Sequence, residues 1–193
     1  KIGVLENLVG KVDKILIGGG MSYTFLKALG FSIGKSLFEE KYLDISKDTL
    51  EKAKNGNTEI ILPIDGLTVT DLQNISSAEI FDHKNFPNER MAVDIGPETI
   101  KLFQNEILKS KTIFWNGPMG IFEQEEFSKG TFEIAQKVAQ SNAVSIIGVG
   151  DTIAAVNKLN IEDKITLIST GGGAVIEFIE GKELPGISAI QDK

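Results

Sequence analysis

The sequence predicts an α/β fold, a doubly wound and mostly parallel sheet with helices on both faces in a three-layer sandwich, and three turns carry that prediction. Ile15-Leu16-Ile17 runs into Gly18-Gly19-Gly20 and a helical segment from Met21. Ser145-Ile146-Ile147 runs into Gly148-Val149-Gly150-Asp151-Thr152 and a helix from Ile153. The apolar run from Ile165 leads into Ser169-Thr170-Gly171-Gly172-Gly173 and an amphipathic helix reaching Glu180. Short apolar strands alternating with such helices pack as a parallel sheet covered on both faces. Ligands of that architecture bind beyond the carboxyl ends of the strands, where all three turns fall. Glycine there lets backbone N–H groups come close to a ligand, and the helix start behind it adds partial positive charge, so the pattern suits phosphate.

Each element follows in order. Val4, Leu5, Leu8, Val9 and Val12 recur at helical spacing, so the chain opens inside a helix. Because it opens at Lys1 without methionine, an N-terminal part is expected to be missing. The strand at 15–17 and the helix at 21–29 form a right-handed crossover unit. Ser46–Asn55 reads as a helix with Ser46 as its cap and Gly56 beyond its end, followed by a strand over Glu59–Leu62. Residues 63–90 are polar and irregular, with short strands near 67–70 and 78–81. Met91–Asp94 is a short buried strand; Gly96-Pro97-Glu98 then opens a helix to about Ser110, with proline in the first turn and an acid near the positive end. Thr112–Trp115 is a strand and Asn116-Gly117-Pro118-Met119-Gly120 a rigid turn; a helix over 127–141, a strand over 144–147 and a helix over 152–159 follow. Leu184, Ile187 and Ile190 lie in a tail with no long element. The arrangement is Rossmann-like.

Bulk properties narrow the function. With 193 residues and 41% hydrophobic content the chain can bury a full core. No run of about 18 apolar residues and no basic-then-apolar leader occurs, so no membrane partner is expected. The absence of cysteine excludes disulfides and thiolate metal sites and makes a reducing cytoplasm the expected compartment. A net charge of −7 without a basic cluster argues against nucleic acid. Arg90 is the single arginine among twenty cationic residues. Arginine is the usual forked donor to carboxylates and free phosphates, so a site for a small, heavily anionic substrate is not expected to be complete here.

Several candidate site residues each carry two readings. Gly171, Gly172 and Gly173 serve either close helix-to-strand packing or anion binding; three consecutive glycines exceed what a turn needs, and no early acid in the helix repels phosphate. Asp151 either caps the helix behind it or holds Mg²⁺ on nucleotide phosphates. Glu123 is either a solvated acid, as Glu125 and Glu126 are taken to be, or a partner for ribose hydroxyls. Lys1 reads as an ordinary surface lysine, and His83, in a polar loop without a relay partner, as a surface residue. Two familiar motifs fail. Gly30-Phe31-Ser32-Ile33-Gly34-Lys35-Ser36 has three residues between its glycines where a Walker A loop needs four. The spaced-glycine dinucleotide pattern breaks at Tyr23, Ile153 and Ile176.

In order along essentially all 193 residues, the runs KIGVLENLVGKVDKILIGGGMSYTFLKALG, ILPIDGL, MAVDIGPETI, WNGPMGIFE, FSKGT, IGVGDTIAAV and DKITLISTGGGAVIEFIEGKELPG resemble the C-terminal, nucleotide-binding half of phosphoglycerate kinase. WNGPMGIFE and STGGGA are the most specific. The resemblance implies phosphoryl transfer between 1,3-bisphosphoglycerate and ADP with Mg²⁺, giving 3-phosphoglycerate and ATP, with the glycerate held by an arginine- and histidine-bearing N-terminal half. Residues 1–181 would be the nucleotide-binding domain, in a monomer, and 182–193 a tail returning towards the missing half. The resemblance places Gly19 and Gly20 with Ala92 and Val93 at an adenine pocket, and Asn116, Pro118 and Gly120 beside ribose and phosphates. Glu123 would accept from the ribose, and Asp151 would hold Mg²⁺, with Val149, Gly150 and Thr152 beside the phosphates. Lys1 matches a lysine that neutralises the migrating phosphoryl group, and Gly171 to Gly173 would offer helix N-terminal amides to it. Two departures from the family pattern stand out. Val149 replaces a glycine, which puts the backbone approach to phosphate in doubt, and Ala92 adds a methyl near the adenine pocket. Alternatives are a dinucleotide-dependent oxidoreductase domain, disfavoured by the missing fingerprint, and a non-catalytic module on the same fold, which would show no Mg²⁺-dependent nucleotide affinity.

Overall fold

A computed structural model describes residues 2–148, 150–169 and 171–190. From the start, α1 (Ile2–Leu8) leads to β1 (Lys14–Leu16), α2 (Gly19–Ala28), α3 (Leu43–Asn55) and β2 (Glu59–Ile61). Strands β3 (Asp65–Val69), β4 (Glu79–Asp82) and β5 (Met91–Ile95) come next, then α4 (Pro97–Lys109), β6 (Thr112–Trp115) and α5 (Lys129–Gln140). The last elements are β7 (Val144–Gly148), α6 (Gly150–Lys158), β8 (Leu167–Ser169), α7 (Gly172–Ile179) and α8 (Pro185–Ser188).

Five of the strands are parallel. Strand β1 pairs with β2, with Ile15 opposite Ile60, and β6, β7 and β8 form a second ladder in that order, with Trp115 opposite Ile147 and Gly148 opposite Ser169. Their apolar side chains meet helices in two cores. Ile147, Trp115, Phe103, Ile134, Val138 and Val156 make the larger, and Ile15, Ile17, Leu5 and Phe25 the smaller. Burying the aliphatic and aromatic side chains that face the helices stabilises the fold by about 1.5–3 kcal/mol each.

The stretch read as irregular holds a sheet of its own. Strands β4, β3 and β5 form an antiparallel ladder, so the strand at Met91 joins this layer instead of the parallel one. Arg90 ties it together. Its Nε donates to Thr68 Oγ1 at 2.7 Å, its Nη2 donates to the carbonyls of both Thr68 and Ser77, and the guanidinium lies over the Phe81 ring.

Three local readings change. Ser46 is not a cap: α3 begins at Leu43, because a 3₁₀ turn over Glu40–Tyr42 has already wound the backbone, and Ser46 lies fully buried within it. Helix α6 begins at Gly150, so Asp151 lies in its first turn. His83 is no surface residue either. It is 3% exposed, stacked on Phe86 and edge-on to Tyr23, with Gly66 packed beside it. Neither ring nitrogen has a partner among the described residues, and burial holds the imidazole below its usual pKa.

Candidate functional site

The parallel strands form two ladders, β1 with β2 and β6 through β7 to β8. Ligands of open α/β sheets bind beyond the carboxyl ends of such strands. A cleft of about 830 Å³ runs along β1 and β6, lined on its flanks by Leu5, Met21, Ile107 and Val138. At its amino-terminal end Lys14 reaches both Glu59, at 3.0 Å, and Glu106. At the carboxyl end the two turns touch. A methyl on Gly18 would stand 2.3 Å from Met119 Sδ, and one on Gly19 2.7 Å from the Pro118 carbonyl oxygen, at a φ of +62° that itself favours glycine.

The Asn116–Gly120 turn is fastened on every side. Trp115 Nε1 donates to the Gly117 carbonyl at 2.8 Å, and the Gly117 amide donates to Thr152 Oγ1 at 2.7 Å. The Met119 amide donates to Thr131 Oγ1 at 3.0 Å, and the Ile121 amide to the Val93 carbonyl at 2.8 Å. Gly120 lies against the end of β5, where a methyl would come within 2.5 Å of both Val93 O and Asp94 Oδ1. One polar atom of this turn is left over: Asn116 Oδ1 is buried and has no partner among the described residues. A buried acceptor left unpaired costs about 1–3 kcal/mol, so it marks a place where a donor is expected.

Around that turn other glycines face open space. A methyl on Gly20, Gly150 or Gly173 would meet nothing within 4 Å, and on Gly171 it would meet only Ser169 Oγ at 4.0 Å. These positions start or precede α2, α6 and α7, whose first amides lack intrahelical partners. Gly172 is the first residue of α7, with Gly171 capping it in a backbone conformation of φ −94°, ψ 47°. Asp151 is exposed in the first turn of α6, where a carboxylate is favoured by the helix dipole. Among the described residues no three His, Asp or Glu converge on one point.

Other candidates sit one layer back. Thr152 is fully buried, and its hydroxyl holds the Gly117 amide. Val93, 2% exposed, packs with Val69 and Phe127 and meets the turn through its main chain. Ala92 is half-buried against Tyr23, Leu26 and Ile33, where its methyl fills space. Glu123 is exposed on the loop after Phe122, which anchors it. Lys1 and Val149 lie outside the described residues.

Sequence reasoning missed Asp94, which is 2% exposed and whose carboxylate accepts from the Gly130 amide at 2.6 Å and the Ile95 amide at 2.9 Å. Burial pushes its pKa up to about 7 against the pull of those two hydrogen bonds. Gly130, an isolated glycine in the first turn of a helix, was the available signal of a close approach.

The family profile for phosphoglycerate kinase matches residues 1–182. The chain is 53% identical over 194 aligned positions to phosphoglycerate kinase of Dictyoglomus turgidum and 52% identical over 193 to that of Clostridium tetani, covering all of this chain and 49% and 48% of theirs. It superimposes on the solved structure of phosphoglycerate kinase from Coxiella burnetii with a TM-score of 0.93 at 44% identity, over 97% of this chain and 48% of that one. The chain thus spans about half the length of the relatives it matches.

Proposed function

The chain belongs to the phosphoglycerate kinase family, and from that premise we propose that it is the half of such an enzyme that binds MgADP and MgATP. Residues 1–181 form the nucleotide domain and 182–193 a tail directed to the other half. The whole enzyme, a cytoplasmic monomer, would move a phosphoryl group between 1,3-bisphosphoglycerate and ADP. One observation carries the nucleotide reading: Asn116 Oδ1 is buried without a donor among the described residues, in the turn after β6 that packs against the glycine turn after β1.

The residues divide the work. Gly19 and Gly20 with Ala92 and Val93 shape the adenine side. Asn116 Oδ1 would accept from the ribose beside the phosphates, with Pro118 and Gly120 fixing its turn, and Glu123 would accept from the ribose. Amides at the starts of α6 and α7, from Val149 and Gly150 and from Gly171 to Gly173, face the phosphates; Lys1 adds a positive charge there. Asp151 would hold Mg²⁺ on the nucleotide phosphates, and the cation would supply charge neutralisation there. Because the attacking oxygen of the acceptor is already ionised, no general base is needed. The protein lowers the barrier by positioning and by amide dipoles placed where charge spreads.

Calorimetric titration of this chain with MgADP tests the reading. Micromolar to millimolar affinity is expected, weaker without Mg²⁺ and absent for NAD. No heat with MgADP, or tighter binding of NAD, would overturn it. Mixing with an N-terminal half should restore turnover that this chain lacks alone, because its single arginine is held in the β3–β4–β5 layer.

A further inference from the structure

We infer that Asp94 is a positioning residue for the nucleotide crevice, holding the Asn116–Gly120 turn and the start of α5 to the end of β5 as one unit. The inference rests on the nucleotide reading above. Asp94 touches none of the glycines that face open space, so its action is through the turn.

The geometry is specific. Oδ2 accepts from the Gly130 amide at 2.6 Å, one of the free donors at the start of α5, and Oδ1 accepts from Ile95. The carboxylate also fills the space that side chains at two glycines would need. A methyl on Gly130 would stand 2.3 Å from Oδ1, and one on Gly120 2.5 Å from it. Gly120 belongs to the turn that carries Asn116, and the residue after it, Ile121, bonds to Val93, the neighbour of Asp94. The start of α5 holds the same turn from the other side, through Thr131 Oγ1 and the Met119 amide. Asp94 thus joins the two supports of one turn.

A purely structural helix clamp would affect stability and leave the crevice as it is. The structure supplies that control. Asp65 seats α4 in the same manner, accepting from the Thr99 amide at 2.8 Å and the Glu98 amide at 3.0 Å, with Gly96 leaving no room for a methyl beside its carboxylate. Among the described residues it forms no hydrogen bond with the Asn116–Gly120 turn. In Asp94→Asn the amide oxygen can accept from one of the two amides while its NH₂ group must face the other, which pushes the side chain out of place.

Asp94→Asn and Asp65→Asn are to be compared at pH 8 by MgADP calorimetry, urea unfolding and amide NMR without nucleotide. Expected is about tenfold weaker MgADP binding in Asp94→Asn, the factor carried by one lost hydrogen bond, with shifted amide signals at Asn116–Gly120. Asp65→Asn should lose stability and keep its affinity within twofold. The inference is overturned if Asp94→Asn binds MgADP as the parent does, or if its shifted amides stay within β5 and α5. Should Asp94→Asn fail to fold, Gly130→Ala displaces the carboxylate without removing it and must show the same loss. Should the parent itself not bind MgADP, the nucleotide reading fails, and the amide shifts alone decide whether Asp94 holds the turn.

Discussion

Gly19 and Gly20 are neighbours in one turn, yet one is closed in by the backbone of Pro118 and the other faces nothing within 4 Å. The same division runs through the molecule. Gly18, Gly96, Gly120 and Gly130 each leave no room for a methyl because another part of the protein occupies it. Gly150 and Gly173 leave it empty. On the proposed function, glycine-rich turns answer two separate needs: protein approaches protein to build the crevice, and the open positions let protein approach a ligand inside it. Substitution by alanine separates the two, since the first kind should damage the fold and the second only binding.

The largest effect is expected at the closed kind. Gly19→Ala meets a backbone oxygen at a positive φ, and overpacking together with strain should remove about 3 kcal/mol from the free energy of urea unfolding; a loss below about 1 kcal/mol would mean the contact yields easily. At the open kind the sign should reverse. Gly20→Ala and Gly173→Ala place a better helix former in α2 and α7, adding up to about 0.5–1 kcal/mol of stability. Both should weaken MgADP binding about tenfold, equal to about 1.4 kcal/mol. Unchanged affinity in both would show that these glycines are idle. Asp151→Asn should leave unfolding nearly unaltered and cut affinity roughly fivefold in saturating Mg²⁺, an exposed charge being worth about 1 kcal/mol. Affinity that no longer responds to Mg²⁺ is the sign to look for.

The smallest effect concerns pH. The folded state holds His83 below its ordinary pKa of 6.5, so it resists a proton that the unfolded chain accepts; the stability this represents is present above pH 6.5 and lost as pH falls. Asp94 acts in the opposite sense. Its pKa is raised from 3.8 to about 7, so its contribution is full below pH 4 and lost as pH rises towards 7. Between those limits the two slopes oppose each other. His83→Phe should leave the Asp94 slope uncovered, making the variant progressively less stable from pH 4 to pH 7 in denaturant titrations. A flat profile would show that the two groups do not set the balance.

Much of this was legible in the chain. Strand β6 and the proline-opened helix α4 fell where apolar runs and turn residues put them, because each is fixed by neighbours a few residues away. The layer of β3, β4 and β5 was legible as three short strands but not as a sheet, since its pairing depends on partners up to thirty residues apart and on Arg90 reaching across. Ser46 was misread because a capping side chain and a buried helical serine look alike until the preceding turn is known. His83 was misread because its surroundings are polar in sequence, while Tyr23 and Gly66, which enclose it, come from distant elements. Of the candidate site, the open glycines and Asn116 lie on turns that sequence spacing could locate. The supports behind them, Asp94 and Thr131, lie on elements that meet the turn only after folding.

Arg90 bonds Thr68 and Ser77 and leans on Phe81, so the one guanidinium of the chain works as a rivet between three strands. An arginine-selective reagent such as phenylglyoxal should therefore loosen that layer, exposing the amides of β3 and β4 to hydrogen exchange. Early in the reaction the heat of MgADP binding should remain, although arginine reagents are ordinarily taken to strike where phosphates bind.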